Sequence, residues 1–370
     1  MHNRPLPPPR SAFFQPVVKS RVKMITVPFF ISHQGCPHTC VFCDQRTISG
    51  ANGALPSTAQ ILDRIELWRS TADGRSLEVA FFGGTFTALN KETQRQLLSP
   101  LQPLLRNGTV ASVRISTRPD CIDIEHIVWL SQMGVRTIEL GVQSLDNSVL
   151  KASGRGHSAT DSLNAIHCIK SQGLIVGAQL MPGLPEDTPD ASLASLEQTI
   201  TAGADFLRIY PTVVLHGTEL ARRYSAGEFT PLTYDRGVSL CKILLQRAMR
   251  SNIPVIRIGL QADHGLNSDS ILAGCWHPSL GQLVRSQLYA DLISRFVASD
   301  QHVTISCHPA RVSDVIGMKR INIQGQTSRG VQIQIISDAK IKKEELKVQT
   351  EVSCVTYSII SDINYLISEV

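Results

Sequence analysis

The sequence predicts an α/β protein: a curved, barrel-like parallel sheet wrapped by helices, with a small α+β appendage at its C-terminal end. Two observations carry this prediction. From Val27 onward, short apolar runs alternate with amphipathic segments, as they do where parallel strands are joined by helical crossovers. Nearly every glycine-rich or polar signal falls just after a candidate strand, the end at which barrels gather their chemistry. The 370 residues give room for one large α/β domain and an appendage.

The expected strands are Val27–Ile31, Leu77–Phe82, Ser112–Ser116, Thr137–Val142, Ile175–Leu180, Phe206–Tyr210 and Val255–Leu260. The expected helices are Ser57–Ser70, Lys91–Leu105, Ile124–Met133, Ser158–Gln172, Ala191–Ala202 and Thr233–Arg250. Ser158 can cap the helix beginning at Ala159, Gly173 can end it, and Pro254 marks the entry to the last strand. Residues 1–23, with the triple proline Pro7–Pro9, read as an extended lead-in. Residues 24–300 form the core unit. Past Gln301 two β-like runs, Val331–Ile336 and Val352–Ile360, flank the lysine-rich Lys340–Lys347, so 301–370 reads as a small α+β domain.

The charge balance of +5 is mildly basic and permits an anionic partner such as RNA. Hydrophobic residues make up 42% of the chain and charged ones 18%, which supports a sizeable core and excludes a disordered protein. No run approaches the ~18 apolar residues of a spanning helix, and no secretory leader is apparent, so no membrane partner is expected. The nine cysteines form no ladder of pairs. Reduced thiols place the protein in the cytoplasm.

Three of those cysteines stand together in GCPHTCVFC: Cys36, Cys40 and Cys43. Thiolates suit iron–sulfur clusters, zinc and copper(I). A closed structural site takes four protein ligands, whereas a reactive one keeps a position open. A [4Fe–4S] cluster held by three cysteines leaves one iron free for a substrate. A zinc site completed by His33 or His38, or three structural thiols, is the alternative. The spacing, with Phe42 directly before Cys43, resembles the cluster loop of radical SAM enzymes. There the free iron holds S-adenosylmethionine, whose reductive cleavage releases a 5′-deoxyadenosyl radical.

The later motifs follow candidate strands in turn. In FFGGTFT, Gly83 and Gly84 let backbone approach a ligand, here the amino group of the cofactor's methionine moiety; a tight turn is the plain reading. In STRPD, Arg118 offers a planar fork for a carboxylate or phosphate, unless Asp120 occupies it. In IELGVQS, Gln143 can hydrogen-bond a ribose hydroxyl, and Glu139 reads as an ion-pair partner inside the sheet. In GRGH, Arg155 is aimed at a carboxylate, while His157 reads as a capping or surface residue. Gln179 ends the next strand before the stiff turn Met181–Pro185, which could shape an adenine pocket. Glu186 and Asp187 are expected to begin the following helix. Arg208 and Tyr210 are expected to diverge, with Tyr210 facing the cavity for substrate contact or proton delivery. His216 and Gly217 open a further helix with Thr218 as its cap. Gln261, His264 and His277 are candidates for the cavity floor, with a solvated loop as the default.

Taken together, GCPHTCVFCDQRTISG, FFGGTFT, TRPD, IELGVQS, GRGH, MPGLP and IYPT with HGTEL resemble the radical SAM domain of the Elongator catalytic subunit, the tRNA carboxymethyluridine synthase family. They run in family order from about residue 27 to about residue 285. The resemblance implies a partial (β/α)6-type radical SAM barrel. It implies that Cys36, Cys40 and Cys43 hold a [4Fe–4S] cluster and that Gly83, Gly84 and Thr85 orient the methionine moiety. It places Gln143, Arg155 and Gln179 at positions that contact S-adenosylmethionine. Relatives often carry histidine or aspartate where Gln179 stands, and glutamate where Ser116 stands. The family's acetyltransferase-like domain has no counterpart in residues 301–370.

The implied function is radical generation on an RNA, with tRNA as the leading substrate and a flavodoxin or ferredoxin as electron donor. A coproporphyrinogen oxidase-like enzyme acting on a small anionic substrate is the alternative within the enzyme class. A non-catalytic iron–sulfur or RNA-binding adaptor is the alternative outside it. Val315–Ile335 is faintly similar to a KH unit, whose G-x-x-G loop clamps nucleotide backbone. Here Gly317 is present, Arg320 takes the second glycine position, and Lys319–Arg320 suit phosphate; a small sheet capping the barrel is the plain reading.

Overall fold

The computed structural model describes residues 24–37, 39–45, 54–260, 266, 268–298 and 302–370. The expected lead-in, His38, Gln261 and His264 lie outside the described residues.

Strand β1 (Ile25–Phe30) leads through the cysteine loop to α1 (Thr58–Ser70), which begins in a capping box between Ser57 and Gln60. Then come β2 (Leu77–Phe82), α2 (Lys91–Leu98), α3 (Gln102–Arg106), β3 (Val110–Thr117), α4 (Ile124–Gln132) and β4 (Val135–Gln143). The expected single helix over Lys91–Leu105 is broken: Pro100 and Pro103 lack the amide hydrogens to continue it, and each sits in the first turn of a new segment. The chain continues with α5 (Asn147–Ala152), α6 (Ala159–Ser171), β5 (Ile175–Leu180), α7 (Pro189–Thr201), β6 (Phe206–Ile209), β7 (Val213–Leu215), α8 (Glu219–Ser225), α9 (Tyr234–Arg250) and β8 (Val255–Ile258). Ser158 caps α6 and Thr218 caps α8, as expected.

Seven strands form one parallel sheet in the order β1-β2-β3-β4-β5-β6-β8. Each crossover steps to the next strand in the same direction, so the sheet curls into a half-barrel. All seven expected strands are present. Along β1 the alternation of a strand separates two environments: Val27 and Phe29 are fully buried in the helix-packed core, while Thr26, Pro28 and Phe30 line the hollow inside the curl. At the floor, Phe206 fills the space beside Gly177, where a Cβ would lie 2.2 Å from its ring.

Strand β9 (Ile271–Gly274) pairs antiparallel with β7 as a small flap. Helix α10 (Leu280–Phe296) was not among the expected helices, although Leu280, Val284, Leu288 and Leu292 mark its buried stripe at four-residue spacing.

The C-terminal segment contains β10 (His302–Cys307), α11 (Val312–Ile316), α12 (Ile321–Thr327), β11 (Gln332–Ser337), β12 (Glu345–Gln349) and β13 (Cys354–Ser358). Its sheet has the order β11-β10-β12-β13, with β10 and β11 parallel and the other pairs antiparallel. Strands β10 and β12 are additions to the expected pair. This sheet is fastened to the barrel through α9 and α10. Gln246 on α9 donates to the Ile359 and Ile363 carbonyls at 2.8 and 2.9 Å, and Asp314 pairs with Arg285 and Arg311 at 3.5 and 3.3 Å. Among the described residues no helix is long and apolar enough to cross a membrane.

Candidate active site

The hollow of the half-barrel opens into a cavity of about 640 Å³ at the C-terminal ends of the strands. Its lining includes Cys36, Cys40, Cys43, Gly83, Gly84, Thr85, Arg118, Gln143, Arg155, Gln179 and Tyr210. Residues singled out from motifs up to 174 positions apart are thus brought to one wall system by the parallel topology.

The cysteine loop is held on two sides. The Val41 amide donates to the Ser153 carbonyl at 3.1 Å, and the Leu220 amide donates to the Val41 carbonyl at 2.7 Å. Cys40, Val41 and Phe42 are buried against Val149, Leu184, Val214 and Leu220. The glycine loop after β2 interlocks with it. Gly84 has φ of +63°, and a Cβ there would lie 2.4 Å from the Gln34 carbonyl oxygen. A Cβ on Gly35 would lie 2.3 Å from the Thr85 carbonyl oxygen. Only glycine tolerates both the backbone sign and the contact. The Thr85 amide donates to the Gln34 carbonyl at 2.8 Å, and Cys36 Sγ lies 3.4 Å from Thr85 Oγ1. Gln45 Oε1 receives both the Gly84 amide at 2.6 Å and the His33 amide at 2.5 Å. Gln45 was not foreseen; it follows Cys43 by two residues and ties the two loops into one part.

Gln143 stands at a bulge ending β4 with φ of +68°. Gln179 Nε2 donates to its Oε1 at 3.1 Å. Arg155 donates from Nη1 to Cys40 Sγ at 3.1 Å and from Nη2 to the Gly141 carbonyl at 2.6 Å. Gly141 leaves the room: a Cβ there would meet Gln143 Nε2 at 2.9 Å. Arg118 lines the cavity, yet Asp120 takes its guanidinium in a bidentate pair at 2.9 and 2.7 Å, the structural alternative weighed for it.

The wall below the motifs is ionic. Glu78 accepts from Arg114 Nε at 2.8 Å, and Arg114 Nη1 donates to Glu139 at 2.6 Å. Glu139 also accepts from Arg208 Nε and Nη2 at 2.7 and 3.1 Å. Arg208 Nη1 donates to the Tyr210 hydroxyl at 3.1 Å. Arg114 stacks over Phe206 at 5.3 Å and Arg208 over Phe82 at 5.6 Å. Glu139 is therefore the internal ion-pair partner expected.

Three readings need correction. Arg208 and Tyr210 do not diverge: residues two apart on a strand share a face, and both line the cavity. His157 is neither capping nor exposed; it is buried with Nε2 3.3 Å from the Val142 carbonyl oxygen. Burial, then the Arg155 and Arg118 charges, push its pKa down to about 4, so the ring is neutral at physiological pH. Asp187 is not in the first turn of α7, whose cap is Thr188; it accepts from the Gly183 amide at 2.7 Å and the Ser192 hydroxyl at 2.6 Å, stiffening the Met181–Pro185 turn. His277 is not on the cavity wall; its Nδ1 accepts from the Ser279 amide at 3.0 Å, the solvated-loop default.

A parallel half-barrel with three thiols at the mouth defines a class of α/β enzyme, and comparison with known proteins gives the family. The radical SAM superfamily description matches residues 30–197, and its C-terminal domain description matches 204–290. The chain belongs to the radical SAM superfamily and is an enzyme of that superfamily. Its radical SAM region is homologous to that of tRNA uridine(34) acetyltransferases. The protein of that name from Methanocaldococcus infernus is 27% identical over 292 residues, covering 67% of this chain and 53% of the relative. Human Elongator complex protein 3 is 27% identical over 217 residues, covering 51% and 40%. The solved structure of Methanocaldococcus infernus Elp3 lacking residues 1–46 superposes with a TM-score of 0.57 at 24% identity, covering 74% of this chain and 63% of that one, and shares the fold. The chain spans about half the length of the curated relatives it matches.

Proposed function

We propose that the chain binds a [4Fe–4S] cluster on Cys36, Cys40 and Cys43, binds S-adenosylmethionine beside it, and modifies RNA, with tRNA as the leading substrate. One observation carries the reading most directly: the three thiols, the glycine loop and the strand-end polar groups line one cavity.

The donor set fits the cluster. Burial, then the neighbouring Cys40 and Cys36, push the Cys43 thiol up to about 12. Three thiolates so close together need a cationic centre to hold them deprotonated. When bound, the cluster and its sulfonium partner supply reductive cleavage to a 5′-deoxyadenosyl radical. The chain's own residues bind and orient. The backbone at Gly83–Thr85 receives the methionine moiety. Gln143, steadied by Gln179, meets the ribose. Arg155 meets the cofactor carboxylate or the cluster sulfur, and Arg118, held by Asp120, lines the wall beside it. Tyr210, fixed by Arg208, faces the substrate as contact or proton donor.

The RNA reading draws on the tRNA-directed names of the relatives and on residues 301–370. There Gly317, Met318, Lys319 and Arg320 form the turn between α11 and α12, within a β10–α11–α12–β11 unit. Lys319 and Arg320 have φ of +52° and +65° and present two basic side chains at an exposed turn. On this reading, these side chains contact phosphates of the RNA.

The test is anaerobic reconstitution with iron and sulfide, then dithionite and S-adenosylmethionine. 5′-Deoxyadenosine should form, and tRNA should bind in a salt-sensitive way that weakens when Lys319 and Arg320 are replaced. A loaded cluster that yields no 5′-deoxyadenosine would support the adaptor alternative. Absence of RNA affinity at low salt would remove the RNA half of the reading.

A further inference from the structure

The cavity wall carries five arginines: Arg114, Arg118, Arg155, Arg208 and Arg257. Four are accounted for. Glu78 and Glu139 pair with Arg114 and Arg208, and Asp120 pairs with Arg118. Arg155 faces the thiols through Cys40 Sγ. Arg257 is different. Its Nε donates to the Gly259 carbonyl of its own strand at 3.2 Å, and among the described residues no carboxylate forms an ion pair with it.

Its position sharpens the contrast. Arg257 on β8 lies in register with Arg208 on the neighbouring β6, and both side chains line the cavity. Like charges on directly paired residues of adjacent strands repel. Glu139 neutralises one of the two. Pro211, Val213, Leu215 and Leu260 line the same cavity, and Arg257 is only partly exposed. The Tyr210 hydroxyl, held by Arg208, supplies a neutral donor next to the pair.

We propose that Arg257, with Arg208 and Tyr210, forms a subsite for a compact anionic group of the substrate, a carboxylate or a phosphate. A guanidinium fork matches either geometry. A bound anion would offset the repulsion between the two arginines. The proposal rests on the reading of this cavity as the reaction chamber, and it names what the chamber holds besides the cofactor.

The full chain without cluster is titrated calorimetrically with inorganic phosphate and with acetate, at ionic strength matched by chloride. Saturable binding is expected, weakened at least tenfold in Arg257→Gln and less in Arg257→Lys, which retains the charge but not the fork. Melting of each variant checks that it is folded. Short single-stranded oligonucleotides then serve as competitors. Competition lost in Arg257→Gln assigns the anion to an RNA phosphate. Preference for acetate with no competition assigns it to a small carboxylate. Wild-type binding that never saturates, or unchanged affinity in Arg257→Gln, overturns the subsite. Because this measurement needs neither iron nor S-adenosylmethionine, its failure is separate from a failure to form 5′-deoxyadenosine.

Discussion

The upper and lower halves of the cavity are built by opposite means. The upper half is made of sulfur, backbone and amide: three thiols, a glycine pair, and Gln143 with Gln179. Few of its groups carry a permanent charge, and its two loops are tied by the Thr85 amide on the Gln34 carbonyl and by Gln45 Oε1 accepting from Gly84 and His33. The lower half is a chain of full charges, Glu78–Arg114–Glu139–Arg208, closed by Tyr210. The difference teaches that the upper wall presents neutral groups to a ligand, whereas the lower wall pairs its charges from Glu78 to Arg208 among themselves and leaves Arg257 and the Tyr210 hydroxyl to face the chamber. Changes in the upper half should remove function and spare the fold; changes to the paired charges of the lower half should reach the fold.

The largest contrast comes from Cys40→Ala. It should abolish the visible absorbance of the reconstituted cluster and all 5′-deoxyadenosine formation, while the melting temperature of the cluster-free chain moves little. Retained cluster absorbance would contradict the ligand assignment. In the lower half, Glu139→Ala strips the half-buried Arg208 of its carboxylate and leaves Arg114 with Glu78 alone, and should cost up to about 3 kcal/mol in denaturant unfolding. Glu139→Gln, which keeps an acceptor, should cost less. If Glu139→Ala unfolds like the wild type, the distinction between the halves fails.

His157, buried beside Arg155 and Arg118, gives a smaller, pH-dependent effect. Its pKa is about 4 in the fold against 6.5 for an ordinary histidine. The unfolded chain therefore takes up the proton first as pH falls. Stability from this group is complete above pH 6.5 and is lost on acidification toward pH 4, by roughly 3 kcal/mol at most. His157→Gln should flatten that part of the stability–pH curve. An unchanged slope would show that His157 is protonated in the fold.

The two halves also differ in how far the sequence reveals them. Strands Leu77–Phe82 and Ile175–Leu180 are legible to the residue because apolar runs end in glycine or turn signals. The thiols and Gly84 are legible because their chemistry is local. Arg114 and Arg208 are not, since arginine in a strand ordinarily means a solvent face. Only their register shows that they point inward, and bulges at Val113/Arg114 and Leu207/Arg208 shift that register. In the C-terminal sheet, β12 is hidden by Lys347 and the lysines just before it, although Leu346 and Val348 alternate inward as a strand requires. Strand β10 shows the same alternation at Val303, Ile305 and Cys307.

The fit of Gly35 and Gly84 into each other's loops bears on the order of assembly. Neither loop has a seat until the other has arrived, and they are brought face to face only when β1 and β2 are in register. The intervening helix must first close its crossover, so these contacts pay the entropy of a long loop before they form. A nascent chain halted before Gly84 would hold all three sulfurs yet no finished cradle, and iron supplied at that moment would meet an unshaped mouth.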